Sequence, residues 1–325
     1  MAVDAQYWRE RAAAAGLDRP DVQAGLRIAI SVAAGVDPGS AVDAVAVLAA
    51  LGAGDLTVAR VVEPHLDAMA IHREAGFAPP AGTWGVFAAE APGARLTATL
   101  ADGACTLTGN KPWCSLADRL DSALVTAHVP DGRRLFAVDL HHPGVSVDDV
   151  RWVARGLTEV TSPPVSFDRV PATPVGETGW YLQRPGFAWG AIRVAACWLG
   201  GTRAVLDSLR SELAARPDPG EVRLYNLGAA DAALWSADLA LRHGAVAIDD
   251  GSADGAAGNL LAGRVRAVVA AAAETVLLHS AHARGPAPLA FDDVHARRVA
   301  DLELYIRQHH AERDLATLGR MTLPA

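Results

Sequence analysis

The spacing of apolar residues changes twice along this chain, and that change constrains the fold more than any single motif. Residues 1–83 and 178–325 carry apolar side chains at the three- and four-residue spacing of helices, whereas residues 84–177 form short runs rich in β-branched and aromatic residues. A helical pattern and a strand pattern rarely share one element. The chain is therefore predicted to be an α+β protein with an N-terminal helical domain (1–83), a middle β domain (84–177) and a C-terminal helical domain (178–325).

Seven strand-like runs in the middle region are separated by turn residues at short intervals. This pattern predicts a small antiparallel barrel or sandwich. Gly109 and Asn110 are predicted to form a turn, and residues 171–179 a linker that leaves the domain. The runs are 84–89, 95–100, 104–108, 122–129, 134–139, 145–149 and 164–170.

Long segments rich in alanine and leucine follow, with short connections between them. Helices of this length joined by short loops are typical of an antiparallel four-helix bundle. The four predicted helices cover residues 187–215, 221–249, 255 or 258 to 284, and 291–319.

The composition argues against several classes of protein. A formal net charge of −8 argues against nucleic-acid binding, and no uninterrupted apolar run has the ~18–20 residues of a membrane span. The three cysteines form no metal or disulfide framework, and the N-terminus shows no signal-peptide pattern, so a cytoplasmic location is expected. His65 and His72 lie on one predicted helix without further ligands, so both are expected to be structural.

Residues 109–115, with the sequence GNKPWCS, follow one of the strand-like runs. Trp113 offers a large flat π-face, and Ser115, two residues later, offers a small hydroxyl donor. Together they suit a planar heterocycle, which needs one face to stack on and one edge to hydrogen-bond. The alternative is that Trp113 is a core aromatic residue and Ser115 an ordinary turn residue.

This segment, followed by Ala-Asp and a strand, resembles the acyl-CoA dehydrogenase flavoprotein family, in which a G-x-K-x-W/F-I-T/S segment closes a strand of the middle β domain. The order of the domains is also similar, with a shorter N-terminal domain. The resemblance implies that Trp113 stacks on the isoalloxazine ring of FAD and that Ser115 places its hydroxyl near the flavin N5. It also implies a homodimer or homotetramer that completes the FAD site across subunits.

Other family motifs are altered in this chain. Arg210 stands where the family has the arginine of an R-x-x-F-G motif, and the resemblance implies that it binds the FAD pyrophosphate, for which a guanidinium is well suited. Here Leu213 and Ala214 replace the Phe-Gly pair, and Ala89, before Glu90, replaces a threonine. The loop at 284–289 retains one glycine of a G-G-x-G motif. These differences leave FMN, or no flavin, as alternatives to FAD.

The catalytic glutamate of the family is absent from both of its known positions. Ile192 occupies one of them and His309 the other, and Glu312 lies about one helical turn from His309. A histidine in this region resembles the flavin monooxygenase branch of the superfamily, and imidazole titrates near neutral pH. His309 is therefore the candidate catalytic residue, and a solvated histidine pair, His309 and His310, is the alternative.

Three functions are compatible with these residues. The first is an FAD-dependent oxidoreductase that acts on an acyl thioester or a related small metabolite. The second is a reduced-flavin-dependent monooxygenase or oxidase that uses His309. The third is a non-catalytic member of the family that serves as an assembly partner, and the altered motifs motivate it.

Overall fold

The computed structural model describes residues 3–17, 19–37, 39–78, 80–101 and 104–323, and its first part is helical. Each of the first four helices begins at an Asp or Ser whose side chain accepts a hydrogen bond from the amide three residues further on. Such caps satisfy one free amide of the first turn. Gly54 ends the third helix, and Asp55 caps the fourth. The helices are α1 (Ala5–Ala15), α2 (Val22–Gly35), α3 (Ala41–Gly54) and α4 (Leu56–Glu74).

The middle region forms one mixed sheet, and all seven predicted runs are strands in it. The strands are β1 (Trp84–Phe87), β2 (Leu96–Ala101), β3 (Ala104–Lys111), β4 (Ser122–Val129), β5 (Gly132–Asp139), β6 (Val145–Val147), β7 (Val165–Pro171) and β8 (Thr173–Val175). Their order is β6-β7-β3-β2-β4-β5-β8, with β1 beside β4. Most neighbours are antiparallel, but β1 and β2 each pair with β4 in parallel. The alternation of apolar residues does not reveal these parallel pairs, nor the short β8 within the predicted linker.

The predicted turn at Gly109 and Asn110 is wrong, because both residues lie inside β3. Gly109 instead marks an irregularity in the pairing of β3 with β7. Its φ is +120°, and a Cβ at this position would lie 2.2 Å from the carbonyl oxygen of Arg95. Glycine therefore allows β3 to bend against β2 without ending, so the strand continues to Lys111.

The C-terminal region is again helical. Three long helices pack against one another, and shorter ones precede and follow them. No helix of the described residues is both long and apolar enough to cross a lipid bilayer. The helices are α5 (Trp180–Gln183), α6 (Pro185–Ala214), α7 (Glu221–Asp249), α8 (Gly255–Arg284), α9 (Ala287–Phe291), α10 (Asp293–Tyr305) and α11 (Ala311–Met321).

The predicted single helix over residues 291–319 is wrong, because this stretch is broken twice. Asp292 has an extended backbone, and its side chain caps α10 at the amide of His295. After α10 a 3₁₀ turn, Ile306–Gln308, leads to His309 and His310, and α11 begins at Ala311, whose φ is +38°. Aspartate is a favoured N-cap residue, and here Asp292 begins a new helix. The spacing of apolar residues alone did not reveal this helix start.

The three parts of the chain share a continuous core, in which residues from the N-terminal helices, the sheet and the C-terminal helices are in contact. Glycines bring α3 and α6 unusually close. A Cβ on Gly52 would lie 2.6 Å from the carbonyl oxygen of Cys197, and one on Gly200 would lie 2.3 Å from that of Ala49. The two helices therefore contact each other through their backbones, which fixes α6 against the N-terminal helices.

Asp301 joins three parts of the structure near the C-terminus. Its Oδ1 accepts a hydrogen bond from the amide of Leu157 (2.6 Å), and its Oδ2 accepts one from the hydroxyl of Thr57 on α4 (3.2 Å). Burial raises the pKa of this carboxyl to about 6. The loop between β6 and β7 is thereby held against α10 and α4.

Candidate functional site

Lys111, at the end of β3, is almost completely buried, with 1% of its surface exposed. Its Nζ donates to Glu90 Oε1 and to Thr126 Oγ1, both at 2.8 Å. Burial lowers the pKa of the Lys111 ammonium, while the contact with Glu90 opposes this. Lys111 therefore joins β3 to β4 and to the loop that follows β1. Glu90 is the counter-ion of this lysine.

The residues that follow this buried lysine, 112–116, have a strained conformation, and we call them the Trp113 segment. Trp113 and Leu116 both have a φ of +58°, a backbone region that costs a non-glycine residue roughly 1–3 kcal/mol. The segment is held by backbone hydrogen bonds from the amide of Cys114 to Pro163 O (3.0 Å) and from the amide of Leu116 to Thr161 O (2.9 Å).

This conformation turns the Trp113 side chain outward, and 59% of the residue is exposed. The alternative that Trp113 is a core aromatic residue is therefore wrong. A large aromatic residue held in a strained backbone and exposed to solvent does not serve packing. Its ring is accessible to a planar ligand.

The hydroxyl of Ser115 points the other way, toward α4. Its Oγ accepts a hydrogen bond from Nη2 of Arg60 at 2.9 Å and lies 2.8 Å from Oγ of Ser162. Either serine can be the donor in that pair. The single hydroxyl proton of Ser115 is available to a ligand only when Ser162 is the donor.

Behind Arg60 lies a set of buried charged and aromatic side chains, which we call the Glu63 cluster. Arg60 Nη1 is 4.0 Å from Glu63 Oε2, and the Arg60 guanidinium lies over the ring of Tyr305, 5.6 Å from its centre. Arg193 on α6 and Arg266 on α8 add two further positive charges that act on Glu63. The cluster consists of Arg60, Glu63, Arg193, Arg266 and Tyr305.

Arg266 connects this cluster to the break that contains His309. Its guanidinium lies 4.6 Å from the centre of the Trp198 ring, and its Nη2 donates to the carbonyl oxygen of Gln308 at 2.9 Å. Burial lowers the pKa of the half-buried His309, the neighbouring Arg266 lowers it further, and Asp314 opposes the shift. His309 is therefore mainly neutral at pH 7.

The predicted support of His309 by Glu312 does not occur, since no hydrogen bond joins these two described residues and the helix is interrupted between them. The carboxylate at this break is Asp314, which accepts from the amide of His310 at 3.0 Å. His65 and His72 are buried on α4, and burial lowers the pKa of both, that of His65 to about 4. This agrees with their predicted structural role.

Arg210 lies far from the other predicted site residues. It follows Arg193 by 17 residues on α6, about 25 Å along the helix axis. Its guanidinium bonds to Asp207 Oδ1 (3.0 Å) and to Asp231. We call these three residues the Arg210 cluster. Two carboxylates already offset the charge of this arginine, so a phosphate group would compete with them for it.

The loop at 284–289 is also engaged in contacts within the chain. Arg284 is largely buried and donates to Glu212 Oε2 at 2.7 Å and to His295 Nδ1 at 2.7 Å. Burial and the Arg284 charge lower the pKa of His295 to about 4, so this histidine remains a neutral acceptor. The arginine that opens the loop thus fixes α8 to α6 and α10.

Several residues of this region were not identified from the sequence as parts of a site, namely Arg60, Glu63, Arg266 and Lys111. The sequence did contain a signal for Arg60 and Glu63, because both are charged residues within a mainly apolar stretch of α4, residues 56–66. Charged residues on the buried face of a helix are rare unless they are paired or functional. No group of three metal-ligating side chains occurs in the part of the chain that the structure describes.

Two polar atoms beside the Glu63 cluster, Asp67 Oδ1 and Trp198 Nε1, are buried without a hydrogen-bond partner among the described residues. Arg193 also lines an open cleft between α2, α3, α4 and α6, with Leu66, Met69 and Arg73 in its wall. Arg193 is the residue that the cleft shares with the Glu63 cluster.

The fold is shared with known flavoproteins. TdsC from Paenibacillus sp. A11-2, solved with FMN and indole, superposes with a TM-score of 0.82 at 17% identity, over 98% of this chain and 96% of that one. KijD3, solved with FMN and a dTDP-linked amino-keto sugar, gives 0.80 at 18% identity over 97% and 90%. An electron-transferring flavoprotein of Acidaminococcus fermentans gives 0.85 at 13% identity over 100% and 99%.

No family model and no curated protein matches the sequence of this chain. Identities of 13–18% with solved structures establish the architecture and leave the chemistry open. The order of N-terminal helices, middle sheet and C-terminal helices is the one predicted from the sequence. The chain has the acyl-CoA dehydrogenase-like fold.

Proposed function

We propose that this protein is a flavin-dependent monooxygenase that binds reduced FMN and oxygenates a small metabolite. The observation that carries the proposal is the Trp113 segment, in which a strained, exposed tryptophan stands beside a serine held by Arg60. Solved neighbours with this fold, TdsC and KijD3, contain FMN.

The residues present fit the ring of a flavin better than they fit the second half of FAD. The exposed face of Trp113 suits stacking on a tricyclic ring, and Ser115 can offer a hydroxyl to the edge of that ring. Arg210, in contrast, is already paired with Asp207 and Asp231, and Arg284 with Glu212. These contacts favour FMN over FAD.

When bound and reduced, the flavin would supply the two electrons that activate dioxygen. The overall reaction balances as substrate–H + O₂ + FMNH₂ → substrate–OH + H₂O + FMN. The role of the chain is to hold the ring with Trp113 and Ser115 and to keep His309 neutral beside the Arg266 charge. The family places its catalytic glutamate at one of two positions, and Ile192 and His309 occupy them here. Without a carboxylate base at either position, simple dehydrogenation is disfavoured.

A dehydrogenase that acts on an acyl thioester with FAD is the second candidate. One observation favours it, namely the buried carboxylate of Glu63, which could replace the missing glutamates from a different helix. The two functions differ in their requirement for oxygen. The dehydrogenase would reduce a dye acceptor with an acyl-CoA in the absence of O₂, whereas the monooxygenase would form product only with O₂ and reduced flavin.

The decisive first experiment is titration of the purified protein with FMN, FAD and their reduced forms, followed by absorption and fluorescence. We expect FMN to bind more tightly than FAD, and Trp113→Ala to weaken both while Trp113→Phe retains binding. A protein that binds neither flavin would contradict both enzymatic functions and leave the assembly-partner hypothesis.

We also propose that the chain forms a homo-oligomer through α7. This helix exposes a row of large apolar residues along one side, and such rows on soluble proteins are commonly interfaces. Sedimentation velocity should show a dimer or tetramer, and Trp235→Asp should shift it toward monomer. The exposed residues are Val222 (74%), Tyr225 (71%), Trp235 (65%), Leu239 (47%) and Val246 (52%).

A further inference from the structure

We propose that Glu63 is the residue that exchanges a proton with the ligand in this site, on the basis of its burial without a hydrogen bond and its position behind Arg60 and Ser115. This role rests on the proposed flavin-dependent function. Glu63, on α4, would supply the carboxylate that is missing at Ile192 and His309.

Glu63 differs from the other buried carboxylates of the chain. Asp55 accepts from the amide of Val58, and Asp301 accepts from Leu157 and Thr57. Those groups have evident structural roles. Glu63 is 7% exposed, and its carboxylate has no hydrogen bond to any described residue. Asp67 Oδ1, beside the cluster, also lacks a hydrogen-bond partner among the described residues, so this region holds two carboxylates without an evident structural hydrogen bond.

A role as a plain counter-ion does not explain the geometry. Charge-assisted hydrogen bonds between guanidinium and carboxylate groups are short, about 2.7–2.9 Å. Glu63 Oε2 is 4.0 Å from Arg60 Nη1, and no other Lys, Arg or His nitrogen of the described residues lies within that distance. Arg60 instead places its other nitrogen, Nη2, on Ser115. Glu63 is thus near positive charge but is not bound by it.

Charged groups on three helices act on the ionisation of Glu63: Arg60 and Asp67 on α4, Arg193 on α6 and Arg266 on α8. Three further groups face it from α5, α6 and α10, and burial, with the Glu63 charge among the smaller causes, raises their own pKa values; they are Tyr181, Cys197 and Tyr305. Burial, together with Asp67, raises the pKa of Glu63 to about 7, and the three arginines limit that rise. Both protonation states are therefore populated near neutral pH, which is the condition for an efficient general acid–base residue.

The proton transfer itself is simple. The ionised carboxylate takes one proton from an acidic O–H, N–H or C–H group of the ligand, and the electron pair of that bond stays on the ligand atom. The protonated Glu63 later releases this proton to water. Arg60 is suited to hold the developing negative charge of the ligand, because it lies between Glu63 and Ser115.

The experiment uses FMN as the probe and needs no identified substrate. FMN binding is measured by calorimetry at pH 7 in two buffers of different ionisation enthalpy, which reports the protons exchanged on binding. A group half-protonated at pH 7 can exchange up to about 0.5 proton per protein when a ligand shifts its pKa. We expect a measurable exchange in the wild type and its loss in Glu63→Gln.

Glu74→Gln is the matched control, because it removes a carboxylate from the same helix, and it should retain the exchange. Glu63→Asp keeps a carboxylate and provides a second variant if Glu63→Gln does not fold. Equal proton exchange in the wild type and Glu63→Gln, with FMN bound by both, would overturn the assignment of Glu63 alone. Failure of the wild type to bind FMN would instead overturn the proposed function, and this inference with it.

Once a substrate is known, turnover provides an independent measurement. Loss of a general acid–base residue typically lowers kcat/KM by about 10²–10⁴-fold, and Glu63→Gln should also remove the inflection near neutral pH from the pH profile. A variant with an unchanged profile and unchanged kcat/KM would contradict the proposal.

Discussion

The Trp113 segment and the Arg210 cluster lie where the acyl-CoA dehydrogenase resemblance places the two ends of a flavin site, and they are built in opposite ways. The Trp113 segment exposes an aromatic face, and its backbone is strained in this conformation. The neighbouring Lys111 is buried. The Arg210 cluster neutralises its arginine with two aspartates on the surface. One end thus leaves an aromatic ring free to bind a ligand, and the other pairs its arginine with aspartates. This difference is our reason to propose FMN rather than the longer FAD.

Lys111 provides the most severe test of the first half of this comparison. Lys111→Ala removes a buried ion pair, leaves Thr126 without its donor and creates a cavity beneath the segment. Glu90, the partner left behind, is 35% exposed and also contacts His128 and Arg133, so the cost comes mainly from the lost hydrogen bonds and is about 1–3 kcal/mol. We expect a loss of that order in urea unfolding, with Lys111→Met less affected because its methylene groups fill the space. A loss below about 1 kcal/mol would show that the segment does not depend on this lysine.

Glu63 links stability to pH on the buried side of the Trp113 segment. Its pKa is raised from 4.5 to about 7 in the folded protein, so the folded state retains a proton that the unfolded state has released. The stability that this group contributes is therefore complete below pH 4.5 and is lost as the pH rises through 7. The difference between the folded and unfolded pKa values corresponds to roughly 3.4 kcal/mol.

The measurement is the free energy of unfolding of the wild type and Glu63→Gln between pH 4.5 and 8. Since glutamine cannot ionise, the variant should gain on the wild type as the pH rises across this range. Asp301, whose pKa is raised to about 6, adds a parallel slope in both proteins and cancels in their difference. A difference that is independent of pH would show that Glu63 ionises normally in the folded protein.

Trp113→Ala separates ligand binding from stability at the exposed end. Truncation of a stacking aromatic residue costs about 1–3 kcal/mol of binding free energy, and 1.4 kcal/mol is tenfold in affinity. We expect FMN affinity to fall about tenfold while the free energy of unfolding changes little, because the side chain is exposed and alanine retains the same φ. Trp113→Phe is the control that keeps an aromatic face. A large loss of stability in Trp113→Ala would show that the residue serves folding rather than binding.

The outline of the fold was accessible from the sequence, because the change of apolar spacing at Trp84 and again before Trp180 reflects local physical chemistry. Trp113 and Ser115 could be named as candidates for a similar reason, since they lie two residues apart in one short motif. The Glu63 cluster was not, because Arg60, Arg193 and Arg266 come from three helices, and only the packing of α4, α6 and α8 brings them together. The break after Tyr305 depends on long-range contacts such as that of Arg266 with Gln308.

Arg210→Ala is expected to have the smallest effect, and it tests the second half of the comparison. Exposed ion pairs contribute about 0–1 kcal/mol, and the Arg210 side chain is 41% exposed. Stability should fall by less than about 1 kcal/mol, and the affinities for FMN and FAD should not change. Arg216→Ala is a matched control, since Arg216 has the same exposure and pairs with Glu212. If Arg210→Ala weakened FAD binding tenfold while Arg216→Ala did not, the two aspartates would be exchangeable partners of an arginine that binds pyrophosphate. FAD would then replace FMN as the proposed cofactor.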